Sequence, residues 1–304
     1  MKKRARLMLI LAMLIFGSIS IFRKNVALSS SEIAMFRGFL GDGGLWLFRR
    51  LTGHSIDYAA IKAHFGKLST MGMLIGLNWV LLFEAYQYTT VGIATLFYYL
   101  SPIIIILLSP LILKEKLTPW KGLCTAIAFL GMVGVSGVLE SGAELGSRPW
   151  LGILLAVGGA VLYAFIVLIT KTVQGVPPYE TTITEMAFAG LIMVPYTLMT
   201  GGFSLPGDGR SILMLLIMCV VHTGAAYALY FAALKALPAQ TVSLYSYIDP
   251  ASAILFAFLF LGEKMTVLQL VGGVILIGAA MLSETGPGLL KRGNPSSDEP
   301  VSGE

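Results

Sequence analysis

Six ionisable residues stand inside long apolar runs: Arg37, Asp42, Glu84, Glu185, His222 and Asp249. If those runs cross a bilayer, a charge at mid-helix costs about 2.5–3.5 kcal/mol on insertion scales, so each needs a partner or a wet cavity. Asp249 precedes Pro250. The proline removes one helical N–H and clashes with the preceding turn, which kinks or opens the helix there. Tyr245 lies four residues earlier, a spacing that puts it on the face of Asp249. Tyr98, Ser101 and Pro102 repeat the arrangement. Two opened helices with polar and aromatic groups at mid-depth suit the binding of a small polar solute. The alternative is a pair of proline kinks whose freed carbonyls are satisfied by Ser101 or water.

Aromatic residues supply candidate walls. Trp79, Phe83 and Tyr86 share a helical face, Asn78 adjoins it, and Tyr227 and Tyr230 lie within one turn of each other. Such walls hold flat or amphipathic molecules and can place a cation over a ring. Near a span end the same residues serve as an interfacial belt. Arg37 and Glu185 lie 148 residues apart. That offset recurs below, so they are read as a charge pair that gates or clamps a substrate carboxylate. The alternative has Arg37 snorkelling to the headgroups. Asp42, Glu84 and His222 are candidates for proton coupling, since each could load and release a proton. The glycines around Asp42 would let a neighbouring helix approach and donate hydrogen bonds.

The elements that must position these residues follow from composition. Of 304 residues, 56% are hydrophobic and 12% charged, against about 25% charged in soluble domains. Mean hydropathy is +0.83. A disordered chain, an ordinary cytosolic enzyme and a nucleic-acid binder are excluded. Ten apolar runs near the length of a spanning helix can be placed at 7–22, 32–50, 68–87, 91–113, 119–139, 150–171, 180–200, 211–234, 239–261 and 266–284. The runs are continuous rather than alternating, so helices and not a barrel are expected.

Lys and Arg are unevenly divided between the two sides of this arrangement. One side collects Lys2, Lys3, Arg4, Arg6, Arg49, Arg50, Lys62, Lys67, Lys114, Lys116, Lys121, Lys171, Lys235, Lys291 and Arg292. The other holds Arg23, Lys24, Arg148, Arg210 and Lys264. Basic loops face the cytoplasm, so a multi-pass protein of the plasma (inner) membrane with both termini cytoplasmic is expected. The N-terminal run follows basic residues as a secretory signal would, but lacks an evident cleavage site, and is read as a retained first span. Residues 285–304, rich in Gly, Pro, Ser and acids, are read as a disordered cytoplasmic tail. Cys124 and Cys219 fall inside spans as small packing residues. No metal or cofactor is expected.

An internal repeat organises the spans. The constant offset pairs Tyr99 with Tyr247, Pro102 with Pro250, Glu115 with Glu263, Lys116 with Lys264 and Thr118 with Thr266. It also carries Glu32 onto Glu180, Phe83 onto Phe231 and Trp79 onto Tyr227. The expected halves are 1–139 and 150–284. Five spans per half is an odd number, so the second half enters the membrane in the opposite sense. Inverted repeats of this kind build carriers whose site lies at mid-membrane between the halves. Glu115 and Glu263 are read as loop anchors, and Thr118 with Pro119 as a helix start. Gly131, Gly134 and Gly137, with Gly272, Gly273 and Gly278, mark close helix packing, within the chain or in a homodimer.

The motifs YYLSP…KEKLT at 98–118 and YSYIDP…GEKMT at 245–266, with Arg37 early in the second span, resemble the drug/metabolite transporter superfamily, EamA-like branch. The resemblance covers nearly the whole chain. It implies two tandem five-helix domains, a central cavity, and export or exchange of small metabolites such as amino acids. Asp42 departs from the family's small or apolar pattern, and Asp249 opposite Ser101 breaks the symmetry of the halves. A lipid-acting membrane enzyme would need clustered histidines or carboxylates, whereas His54, His64 and His222 are dispersed. A sensor would bring a soluble output domain. A primary pump would carry a phosphate-binding glycine loop with Lys, which is absent.

The expectation is therefore an all-α membrane protein of ten helices in two inverted repeats. It would move a small-molecule substrate by alternating access, with the lipid bilayer and not nucleic acid as its surroundings. Intramembrane acids outnumber the lone Arg37, which disfavours polyanions. Amino acids or organic amines are favoured, with nucleosides, sugars or other neutral solutes through a proton-independent facilitator as the alternative. The expected substrate-binding residues are Asn78, Trp79, Tyr98, Ser101, Tyr227, Tyr245 and Asp249.

Overall fold

A computed structural model describes residues 2–53, 55–140 and 146–292, with side chains to residue 283. The described residues are helical, with no strand among them. In chain order the helices are α1 (Lys2–Gly17), α2 (Ile19–Arg23), α3 (Ser30–Leu51), α4 (Tyr58–Tyr88), α5 (Val91–Tyr98), α6 (Ser101–Ile112) and α7 (Pro119–Val135). The second half contains α8 (Pro149–Thr170), α9 (Pro178–Thr200), α10 (Gly209–Cys219), a π-helical turn (Val220–Ala225) and α11 (Ala226–Ala236). It ends with α12 (Ala239–Tyr245), α13 (Ile248–Leu261) and α14 (Val267–Arg292).

The helix boundaries follow the sequence offset. α5 and α6 break at Tyr99–Leu100, and α12 and α13 break at Ser246–Tyr247. In both cases a proline at the start of the following helix stops the turn before it. Thr118 caps α7 by accepting the Lys121 N–H at 3.3 Å, with Pro119 at the first helical position.

Seven segments among the described residues are long and apolar enough to cross a membrane. Of the ten expected runs, α3 is not among the seven, because Arg37 and Asp42 interrupt it and Arg49 and Arg50 close it. α7 and the apolar part of α14 are shorter helices. α14 continues to Arg292, so the first part of the expected disordered tail is helical. Residues 293–304 and His54 lie outside the described residues.

In lipid, apolar burial gives little drive for helix association, so close packing has to supply it. α3 crosses α9 where Gly38 meets Gly190: a Cβ on Gly38 would lie 2.5 Å from the Gly190 Cα. α7 crosses α14 the same way, with a Cβ on Gly272 only 2.6 Å from the Gly131 carbonyl oxygen. Gly131, Gly134 and Gly272 thus pack within the chain, while Gly273 and Gly278 face open space.

Two buried carboxylates brace α3 against α9. Glu32 completes a capping box with Ser29 and accepts the Ser204 N–H at 2.8 Å. Its repeat mate Glu180 accepts from Arg49 Nη2 at 2.9 Å and from the Asp57 N–H at 3.3 Å. The end of the bundle bearing Arg49, Glu115, Lys171, Glu180 and Lys235 is here called proximal. The opposite end, bearing Lys24, Glu32, Arg148 and Glu263, is distal.

Candidate functional site

A cavity of about 320 Å³ runs from mid-depth toward the distal end. The helix breaks place its polar groups. Tyr99, at the α5–α6 break, donates its hydroxyl to Asp249 Oδ2 at 2.9 Å. Its mate Tyr247 donates to the Tyr99 carbonyl at 3.0 Å, locking one break against the other. Ser101 and Ser246 line the wall beside them. Asp249 is half-buried and faces this space together with Arg37.

Arg37 is held from two sides. Its Nε donates to Thr223 Oγ1 at 2.9 Å, and its guanidinium sits 5.5 Å from the Trp79 ring centroid. Thr223 belongs to the π-helical turn, and its hydroxyl bonds back to the Met218 carbonyl at 3.2 Å. The extra residue in a π-turn shifts side chains off the α-helical register. A close approach of Gly41 on α3 to this turn brings Arg37 within reach: a Cβ on Gly41 would lie 2.7 Å from the Cys219 carbonyl oxygen.

The floor is aromatic. Tyr163 and Tyr230 share a hydroxyl hydrogen bond of 2.8 Å. Tyr227 stacks edge-on against Phe16 at 5.1 Å. Tyr98 donates to Asn78 Oδ1 at 3.1 Å, and Asn78 donates to the Gly159 carbonyl at 2.6 Å.

Six expected site residues therefore gather at the one cavity: Arg37, Trp79, Tyr98, Ser101, Tyr227 and Asp249. Asn78 sits behind Tyr98 in a smaller adjoining space. Tyr245 does not join them. It is packed in the core, because the break at Ser246–Tyr247 interrupts the helical register that a four-residue spacing assumes.

Arg37 and Glu185 do not form an ion pair. Glu185 is fully buried below the floor, with Thr170 Oγ1 donating to Oε1 at 3.4 Å and Oε2 without a partner. Equivalence by repeat puts the two at matching places in each half, and the bundle keeps those places apart.

The proton-coupling candidates are dispersed. His222 lies in the π-turn, with Nε2 3.0 Å from Ser18 Oγ and its ring against Phe22. Glu84 accepts from the Tyr196 hydroxyl at 2.8 Å in a distal groove. Asp42 Oδ1 is buried with no hydrogen-bond donor, so the approaching helix does not supply one to that oxygen.

Reasoning from the sequence did not single out Tyr99, Tyr163 or Thr223. For Tyr99 the available signal is its pairing with Tyr247 across the repeat. Tyr163 is a single phenol in an apolar helix, and Thr223 depends on a π-turn without a local signature.

Among the described residues no group of His, Cys, Asp and Glu could hold a metal. The cavity can instead hold an organic molecule between aromatic faces, offering it one guanidinium and one carboxylate.

Comparison with known proteins places the chain. It is 30% identical over 283 residues to an uncharacterized transporter, YxxF, of Bacillus subtilis, covering 92% of this chain and 89% of that one. It is 24% identical to an uncharacterized transporter of Archaeoglobus fulgidus, covering 90% and 94%. A solved crystal structure superposes with a TM-score of 0.81 at 18% identity, over 96% of this chain and 99% of that one, which shows a shared fold. The model of the EamA-like transporter family matches twice in tandem, at residues 3–137 and 150–285. Two tandem matches spanning nearly the whole chain make this protein a member of the EamA-like transporter family, a multi-pass membrane transporter of the drug/metabolite transporter superfamily.

Proposed function

We propose that this transporter moves a small zwitterionic or cationic metabolite, an amino acid or organic amine, across the plasma membrane by alternating access. The observation that carries the reading is the cavity itself. Arg37 and Asp249 line one space of about 320 Å³ between aromatic walls. A guanidinium binds a carboxylate through a planar fork, and a carboxylate accepts from an ammonium. A polyanion would meet the like charge of Asp249 in the same space as Arg37, which disfavours it.

The chain crosses the membrane ten times as two five-helix repeats of opposite sense. The matching helix breaks and the 148-residue offset support that reading. The basic proximal end faces the cytoplasm, so both termini are cytoplasmic and the cavity opens outward. Arg37 orients the substrate, Asp249 and Tyr99 hold its amino group, and Trp79, Tyr98 and Tyr227 enclose its body. Transport runs as export or exchange. Tyr163 and Tyr230 close the floor against the cytoplasm in this state.

The test is flux of a labelled panel of amino acids and amines in proteoliposomes, with and without an imposed pH gradient. Saturable flux of one zwitterion or amine supports the reading, and acceleration by the gradient adds proton coupling. Flux of nucleosides or sugars with silence across amino acids and amines overturns it.

A further inference from the structure

The two ends of the bundle are related by the repeat, yet they are tied in different ways. At the proximal end the carboxylate of Glu115, beyond the C-terminus of α6, reaches the N-terminus of α12. It accepts the Ala239 N–H at 2.8 Å and the Gln240 N–H at 3.3 Å. The first turn of a helix leaves its N–H groups without intrahelical partners, and the N-cap here, Pro238, has no side chain that can accept them. Lys171 adds a third tie, lying 3.8 Å from Glu115 and donating to the Leu234 carbonyl at 3.2 Å and to that of Leu237. The Glu115 side chain is 18% exposed.

The offset maps these groups onto Glu263, Val91, Gly92 and Arg23 at the distal end. There no matching tie is present among the described residues. Glu263 is 57% exposed and meets Lys24 at 3.9 Å. α5 is capped by its own Thr90, which accepts the Ile93 N–H at 3.3 Å. Arg23 donates to the Val26 carbonyl in its own loop at 3.0 Å. The cavity runs toward this untied end.

We infer that Glu115 and Glu263 are alternating latches: each caps the first turn of the short helix of the opposite half, one at a time. In the structure Glu115 holds α12 and closes the proximal end. In the opposite state Glu263 takes the Val91 and Gly92 N–H groups, and Glu115 lets α12 go. This deepens the alternating-access reading and rests on it.

Hydrogen exchange followed by mass spectrometry reads both helix starts in the full-length protein in nanodiscs. In Glu115→Ala, exchange over 239–245 becomes about fivefold faster, the size of a lost helix cap. Exchange over 91–98 becomes slower, because Glu263 now engages there. Glu115→Gln, which keeps the shape, gives the same directions with smaller changes. The double variant Glu115→Ala with Glu263→Ala loses the protection over 91–98.

A merely structural Glu115 would loosen 239–245 and leave 91–98 unmoved, which overturns the exchange of latches. A second readout separates this from failure of alternating access. Ile166→Cys places a thiol just under the floor, where Ile166 is 4% exposed, and it is labelled with an impermeant maleimide from the proximal side. Faster labelling in Glu115→Ala with 91–98 unmoved keeps alternating access and discards the latch exchange. Labelling that stays closed in every variant and with every substrate of the panel discards both.

Discussion

Arg37 and Glu185 occupy one position of a duplicated fold and have opposite surroundings. Arg37 lines the cavity, bonded to Thr223 and stacked over Trp79. Glu185 is sealed below the floor, with one oxygen unpartnered. The repeat supplies two equivalent scaffolds, and only one of these two charges lines the cavity. Ser101 and Asp249, which share a place at the two helix breaks, differ in charge but not in setting: both line the cavity.

Four substitutions test that contrast, in descending order of expected effect. Arg37→Met removes the only guanidinium among the residues lining the cavity and lowers flux about a hundredfold, the upper value for a lost charged contact. Protein recovery and monodispersity in detergent stay as in the parent, and a collapse of either would return Arg37 to structure. Asp249→Asn lowers transport more than about tenfold by the same scale while the protein inserts and folds; unchanged flux would remove Asp249 from the site. Tyr99→Phe deletes the donor that fixes Asp249 and raises KM about fivefold, near the value of one hydrogen bond. A change confined to the maximal rate would argue against positioning. Glu185→Met replaces a sealed carboxylate by an apolar chain of similar size, often neutral or stabilising. Flux stays within about twofold and the melting temperature holds or rises. A deep loss of flux would mean that Glu185 enters the cycle.

Much of this was legible in the residues. Long continuous apolar runs between short polar loops located the helices, and the repeated Pro102 and Pro250 located both breaks. Arg37, Trp79 and Asp249 stood out because polar or bulky groups at mid-span demand a reason. Other features depend on geometry that no local pattern encodes. The π-turn that carries Thr223 changes the register of one helix only, and α4, the matching helix, runs unbroken from Tyr58 to Tyr88. Tyr245 packs in the core instead of lining the cavity, because a period of 3.6 does not survive a helix break. The separation of Arg37 from Glu185 follows from how the halves dock, which an offset in sequence does not contain.

The most direct test of the central claim, one cation and one anion serving one substrate, is a charge-matched comparison in proteoliposomes. An amino acid from the transported set is compared with its decarboxylated amine, in the parent and in Arg37→Met. The expected result is that the parent prefers the amino acid, and that in the variant this preference is lost because the amino-acid flux falls to that of the amine. An unchanged preference for the amino acid in Arg37→Met would contradict it.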